Sequence, residues 1–121
     1  MTTARRQASE RSGRRSEFKA LWMLRLKGYR LLARRFKCPL GEIDLIMRKG
    51  QTTAFIEVKA RANTDDAVTA VTQFQSRRIV AAAGLWMARD RLSNKGYCRF
   101  DIVTVSPYHW PRHIQNAFYG D

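Results

Sequence analysis

The sequence predicts an α/β fold with one small mixed sheet flanked by helices, and three observations carry that prediction. Residues 42–48 (EIDLIMR) and 53–60 (TAFIEVKA) are β-forming runs on either side of a Lys49-Gly50-Gln51-Thr52 turn. A helical pattern over residues 68–91 follows them, and a last β-forming run, residues 99–106 (RFDIVTVS), follows the helix. A further helical pattern over residues 16–27 precedes all of these.

Taken in order, residues 1–15 (MTTARRQASERSGRR) are polar and basic and read as a flexible arm. From Ser16 the pattern changes, with Glu17, Ala20, Leu21, Leu24 and Gly28 at helical spacing and Phe18 and Trp22 widening the stripe. Gly28 is the expected stop. Residues 29–36 supply a first strand, and Pro39, Leu40 and Gly41 a turn. After the hairpin, residues 62–66 form a loop. The long helix then places Ile79, Ala82, Ala83 and Trp86 on one face, and residues 94–96 close it. The domain is expected to span residues 16–106, with an aromatic, basic tail at 107–121 that contains a helical turn and packs onto it. Trp22 and Trp86 are expected in the core, and Trp110 against the domain.

The formal net charge is +13, and it is uneven. Residues 1–37 hold twelve basic and two acidic side chains; residues 38–121 hold eleven and eight. A field of this sign attracts polyanions, of which nucleic acid is the commonest in a cytoplasm, while a basic amphipathic helix on a membrane surface is the rival. The Arg-rich start is followed by no apolar signal core, so a cytoplasmic protein is expected, with no membrane span. Cys38 and Cys98 form no CxxC and read as reduced thiols, and a structural zinc site is excluded by spacing.

The two central strands raise an electrostatic question. A turn centred on Gly50-Gln51 pairs Asp44 with Glu57 and puts Ile43, Leu45 and Met47 on one face with Val58, Ile56 and Ala54. Two carboxylates opposite each other have Cβ atoms ~5 Å apart and repel. A shared proton, a neighbouring cation or a bound metal would offset that repulsion. Lys59 lies two residues after Glu57 and so points to the same face, which leaves a cross-strand ion cluster on a solvated face as one reading. The other is chemical. Two converging hard oxygen donors, a backbone carbonyl near Val58 and a lysine suit Mg²⁺- or Mn²⁺-dependent phosphodiester hydrolysis. Glu17 is a candidate fourth member, or simply an acid near a helix N-terminus.

Asp44 followed by Glu57-x-Lys59, with Glu17 on a preceding helix, resembles the PD-(D/E)xK nuclease superfamily of restriction endonucleases and Holliday-junction resolvases. More closely, the chain resembles the YraN-like family of bacterial proteins. The stretches that carry this are RRSEFKALWMLRLKGYRLLARRF, GEIDLI, FIEVKAR, VTQFQSRRI and RFDIV, together most of residues 14–105. The resemblance implies a restriction-endonuclease-like αβββαβ core and Glu17, Asp44, Glu57 and Lys59 as the active-site set. Members often carry a basic residue near the position of Gln75, ahead of an arginine pair matching Arg77 and Arg78, and a glycine where this chain has Ser16. A glutamine there would contact a phosphate or a metal-bound water.

The expectation is therefore a nucleic-acid-binding protein and divalent-metal-dependent endonuclease. Asp44, Glu57 and the Val58 carbonyl would hold the Mg²⁺ or Mn²⁺, Glu17 would assist through water, and Lys59 would serve the nucleophile. Arg14, Arg15, Arg61, Gln75, Arg77 and Arg78 would contact DNA or RNA, and cutting two strands would favour a homodimer. The alternatives are a binding module with an unused nuclease site, and a basic adaptor for proteins or membrane surfaces.

Overall fold

A computed structural model describes residues 3–61, 67–68 and 70–118. Its elements are α1 (Thr3–Leu26), β1 (Arg30–Cys38), β2 (Gly41–Lys49), β3 (Thr52–Lys59), α2 (Gln73–Arg89), α3 (Arg91–Lys95), β4 (Tyr97–Ser106) and β5 (His109–Ile114). The strands form one sheet in the order β1-β2-β3-β4-β5. Every pairing is antiparallel except β3 with β4, which are parallel and joined through α2 and α3. The order helix, three strands, helix, strand is the restriction-endonuclease-like core, here extended by a fifth strand.

Helix α1 starts at Thr3 rather than at Ser16, so residues 3–15 are helical and not a loose arm. Ala, Arg, Gln and Glu dominate that segment, and all are good helix formers. The helix stops where the sequence predicts. Gly28 has φ 95°, its N–H donates to Arg25 O at 3.0 Å, and the Tyr29 N–H donates to Leu24 O at 3.0 Å. That pair of bonds is a Schellman motif, which satisfies the last carbonyls and turns the chain into β1.

The sheet is covered on both faces. Ala20, Leu21, Met23 and Leu24 of α1 pack on Leu45, Met47, Ala54, Ile56, Val103 and Val105. Ile79, Ala82 and Ala83 of α2 pack on Ile43, Ile46 and Phe55. The β2–β3 register runs from Lys49↔Thr52 to Leu45↔Ile56, as the turn implies. One face assignment differs, because Ile43 belongs with Ile46 and Phe55, not with Leu45 and Met47. Strict alternation breaks at Asp44. The ladder ends at Leu45↔Ile56, so the expected pairing of Asp44 with Glu57 is not made; instead Asp44 Oδ2 accepts the Val58 N–H at 2.8 Å, while in the neighbouring strand Arg35 takes φ 51°.

Three further expectations need correction. The helix predicted over 68–91 begins at Gln73, because Thr72, in extended backbone, accepts the Gln75 N–H on its side chain, an N-cap. The helical turn expected in the tail is replaced by β5, paired antiparallel to β4. Buried Asp101 ties this strand down. It accepts from Arg99 Nε at 2.8 Å and the Asn116 N–H at 3.0 Å, and lies 2.7 Å from His113 Nε2. Although burial opposes it, these bonds hold the Asp101 carboxyl below its ordinary range. Trp22 and Trp110 are not core residues, being 47% and 67% exposed. Trp86 does sit on the core, edge-on to Phe36 with ring centroids 5.4 Å apart. Among the described residues no helix is long and apolar enough to cross a membrane.

Candidate active site

The break at Asp44 creates the site. Where the β2–β3 ladder stops, the Asp44 carboxylate takes the place of a main-chain acceptor for Val58 and is thereby held beside Glu57, the next residue of β3 after the last pair. Both carboxyls are largely buried, Glu57 at 8% exposure. Burial first, and Asp44 second, push the Glu57 carboxyl up from 4.5 to about 8. Burial also raises Asp44, against the Val58 N–H and Glu57, which lower it. The repulsion expected across the hairpin shows as an upward shift of both carboxyls, and a cation stands beside Glu57. That cation is Lys59, whose Nζ lies 3.4 Å from Glu57 Oε1 and 3.4 Å from Gln75 Oε1. Gln75 reaches it because the Thr72 cap sets the start of α2 opposite the end of β3.

Glu17 comes from α1, on the other layer. It is buried beside Ser16 and paired with Arg35, whose Nη2 and Nε lie 2.7 and 2.8 Å from its Oε2. The sequence reading missed Arg35, which lies in an apparently ordinary strand. Its positive φ is the kind of backbone strain, ~1–3 kcal/mol for a non-glycine residue, that survives only where surrounding contacts hold it. Here the holding contact is the ion pair with Glu17.

Glu17, Arg35, Asp44 and Glu57 converge on one cavity of about 420 Å³, whose walls also include Arg14 and Val58, whereas Lys59 and Gln75 are not among its lining residues. Lys37 and Glu42, also unforeseen, lie on its rim. The other expected contacts are dispersed. Arg15 faces the adjoining depression with Phe18 and Arg34. Arg78 stacks on Phe74, its guanidinium 5.8 Å from the ring centroid, in a separate depression that also takes in Glu42 and Gln75. Arg77 is exposed outside these cavities, and exposed Arg61 donates to the Ala60 carbonyl at 3.0 Å. Among the described residues no group of three His, Cys, Asp or Glu side chains is spaced to hold a metal ion. The two carboxyls that stand side by side are Asp44 and Glu57, with the Val58 backbone alongside.

Comparison with known proteins identifies the family. The model of the uncharacterised protein family UPF0102 matches residues 16–105, which contain all four expected active-site residues. The chain is 48% identical over 118 residues to a UPF0102 protein of Mesorhizobium japonicum, covering 98% of this chain and 94% of that one. It is 51% identical over 115 residues to one of Methylorubrum extorquens, covering 95% and 90%. A UPF0102 protein of a Chelativorans strain is 50% identical over 113 residues, covering 93% and 91%. By the family model and by these identities, the chain belongs to the uncharacterised protein family UPF0102.

Proposed function

We propose that this protein binds nucleic acid and hydrolyses its phosphodiester bonds with a divalent cation held at Asp44 and Glu57. The observation that carries this reading is a buried carboxylate pair at the end of the β2–β3 ladder with an ammonium 3.4 Å from it. A plain structural ion cluster does not need two like charges side by side below the surface. The donors fit the ion: two hard oxygen ligands and an adjacent backbone suit Mg²⁺ or Mn²⁺, and a dication relieves the pressure that raises both carboxyls. Once bound, it supplies Lewis-acid stabilisation of charge on the phosphate.

The protein's own groups do the rest. Lys59, steadied between Glu57 and Gln75, presents its ammonium to the attacking water or to the oxygen on which charge develops. Arg14 and Lys37 on the cavity wall hold the phosphates either side of the scissile one. Arg35 fixes Glu17 at the cavity wall, where that acid orients water.

The test is a panel of branched, nicked and single-stranded DNA and RNA at fixed salt, with Mg²⁺, Mn²⁺ or EDTA. The wild type cleaves at least one substrate only with the cation. Asp44→Ala and Lys59→Ala reduce cleavage by about 100-fold or more, the scale of losing a group that stabilises transition-state charge. Mn²⁺ binding, followed by electron spin resonance, disappears in Glu57→Ala. Undiminished cleavage in Asp44→Ala rules the mechanism out. One observation favours a second reading, a binding module without catalysis: Glu17 is occupied by Arg35, and among the described residues no three His, Cys, Asp or Glu side chains are grouped to hold a metal ion. That reading predicts tight nucleic-acid binding, no cleavage and no Mn²⁺ site.

A further inference from the structure

The exposed face of α1 carries cationic and aromatic side chains. Arg14, Phe18 and Trp22 follow at i, i+4 and i+8, so they line one face of the helix. Phe18 is 55% and Trp22 47% exposed, and the two rings meet edge to face with centroids 6.1 Å apart. The Arg25 guanidinium lies 5.2 Å from the Trp22 ring centroid. Opposite them, β5 presents Trp110, 67% exposed, followed by Pro111. Between helix and strand runs an apolar groove of about 340 Å³ whose walls are Phe18, Trp22, Met23, Trp110 and Pro111 with Lys19 and His109.

The groove and the carboxylate cavity are linked by residues that a third depression shares with each. An intermediate depression is formed by Arg14, Arg15, Phe18, Lys19 and Arg34. Arg14 also belongs to the carboxylate cavity, and Phe18 and Lys19 also belong to the groove. A track thus leads from the carboxylates, across four cations, to a set of exposed aromatic rings. From Arg14 to Trp22 the helix rises roughly 12 Å.

We infer that this groove takes the unpaired bases of a single-stranded segment that leaves the cleavage centre, so the substrate is nucleic acid with an overhang, flap or gap. The inference rests on the phosphodiester reading of the carboxylate centre. Charge selects the occupant. An apolar groove rimmed by arginines and lysines suits a polyanion with flat apolar rings, whose phosphates meet the cations while its bases stack on the aromatics. A continuous duplex cannot use it, because its base faces are already covered by their neighbours, whereas unpaired bases are free to stack.

Two fluorescein-labelled probes test this in EDTA at fixed salt: an oligothymidylate strand and a blunt duplex of equal length. Trp22→Ala and Trp110→Ala each weaken binding of the single strand by about tenfold, the scale of losing one stacked base, and leave duplex binding unchanged. The two tryptophans are 47% and 67% exposed, and thermal unfolding of each variant verifies that the fold is intact. In the wild type, the single strand also quenches tryptophan fluorescence and the duplex does not. Equal loss on both probes, or no loss on either, overturns the inference. So does loss of self-association in the variants, measured by light scattering, with unchanged strand affinity, since the groove would then be a surface for a second copy. If Asp44→Ala abolishes cleavage while the tryptophan variants bind and cut as wild type does, only this inference fails. If they lose strand affinity and no substrate is ever cleaved, only the hydrolytic reading fails.

Discussion

At the scale of single residues, the site is governed by how buried charge is balanced. Glu57 is the group to probe, because its carboxyl is raised from 4.5 to about 8 by burial and by Asp44. The folded chain therefore holds a proton on Glu57 that the unfolded chain has released, and it does so between those two values. Stability from this residue is fullest below about 4.5 and declines as pH rises through about 8. Glu57→Gln keeps the shape without the charge. In EDTA, urea denaturation at pH 8 should show it more stable than wild type by about 1–3 kcal/mol, with the difference vanishing near pH 4.5. An unchanged or lower midpoint at pH 8 contradicts a strained pair. Asp101 works in the opposite sense. Its bonds to His113, Arg99 and Asn116 outweigh burial and lower it from 3.8, so its contribution is lost only as pH falls below that value and does not overlap the Glu57 window.

At the scale of elements, the site depends on how closely α2 approaches the start of β2. Gly41 sits where any side chain would collide with the helix: a Cβ there would lie 2.4 Å from the Arg78 carbonyl oxygen and 2.9 Å from its carbon. Both are backbone atoms, so α2 itself would have to move, carrying Gln75 away from Lys59. Gly41→Ala should cost about 1–3 kcal/mol, visible as a Tm several degrees lower. Gly84, on α2 with open space around its Cβ position, is the control. Gly84→Ala should raise stability by up to about 1 kcal/mol through helix propensity alone. A Gly41→Ala variant as stable as wild type would mean that the two elements are not tightly apposed. The two central strands were legible because an alternating pattern bounded by a Gly-containing turn has one good register. Strand β5 was not. Its sequence, HWPRHI, has a proline and two histidines, and it pairs because β4 offers a free edge and Asp101 a set of acceptors.

At the scale of the whole molecule, the +13 charge has a direction. Arg14, Arg15, Lys19 and Arg34 line the track between the carboxylates and the aromatic groove, and Lys37 lies on the rim of the carboxylate cavity. Each phosphate they neutralise releases condensed counterions, so binding of a single strand should weaken with salt at a log–log slope of roughly −3 to −4 for five contacts. Replacing Arg14 and Arg15 together by Gln should reduce the magnitude of that slope by about 1.4. A slope that does not change would place the strand elsewhere. Because these cations stand on α1 and β1 and the carboxylates on β2 and β3, the proposed substrate path crosses the seam between helix layer and sheet.

The sequence by itself determined the order of the first helix, the three strands, the long helix and β4, together with the register of the central hairpin, because strand alternation and turn chemistry are local properties. Only the tertiary structure decided that Ile43 turns to the α2 face, that Arg35 adopts a positive φ to hold Glu17, and that Trp22 and Trp110 face each other across an open groove. Each of these requires residues from separate elements to meet. Periodicity within one segment reports which side chains share a face, but not what, if anything, covers it.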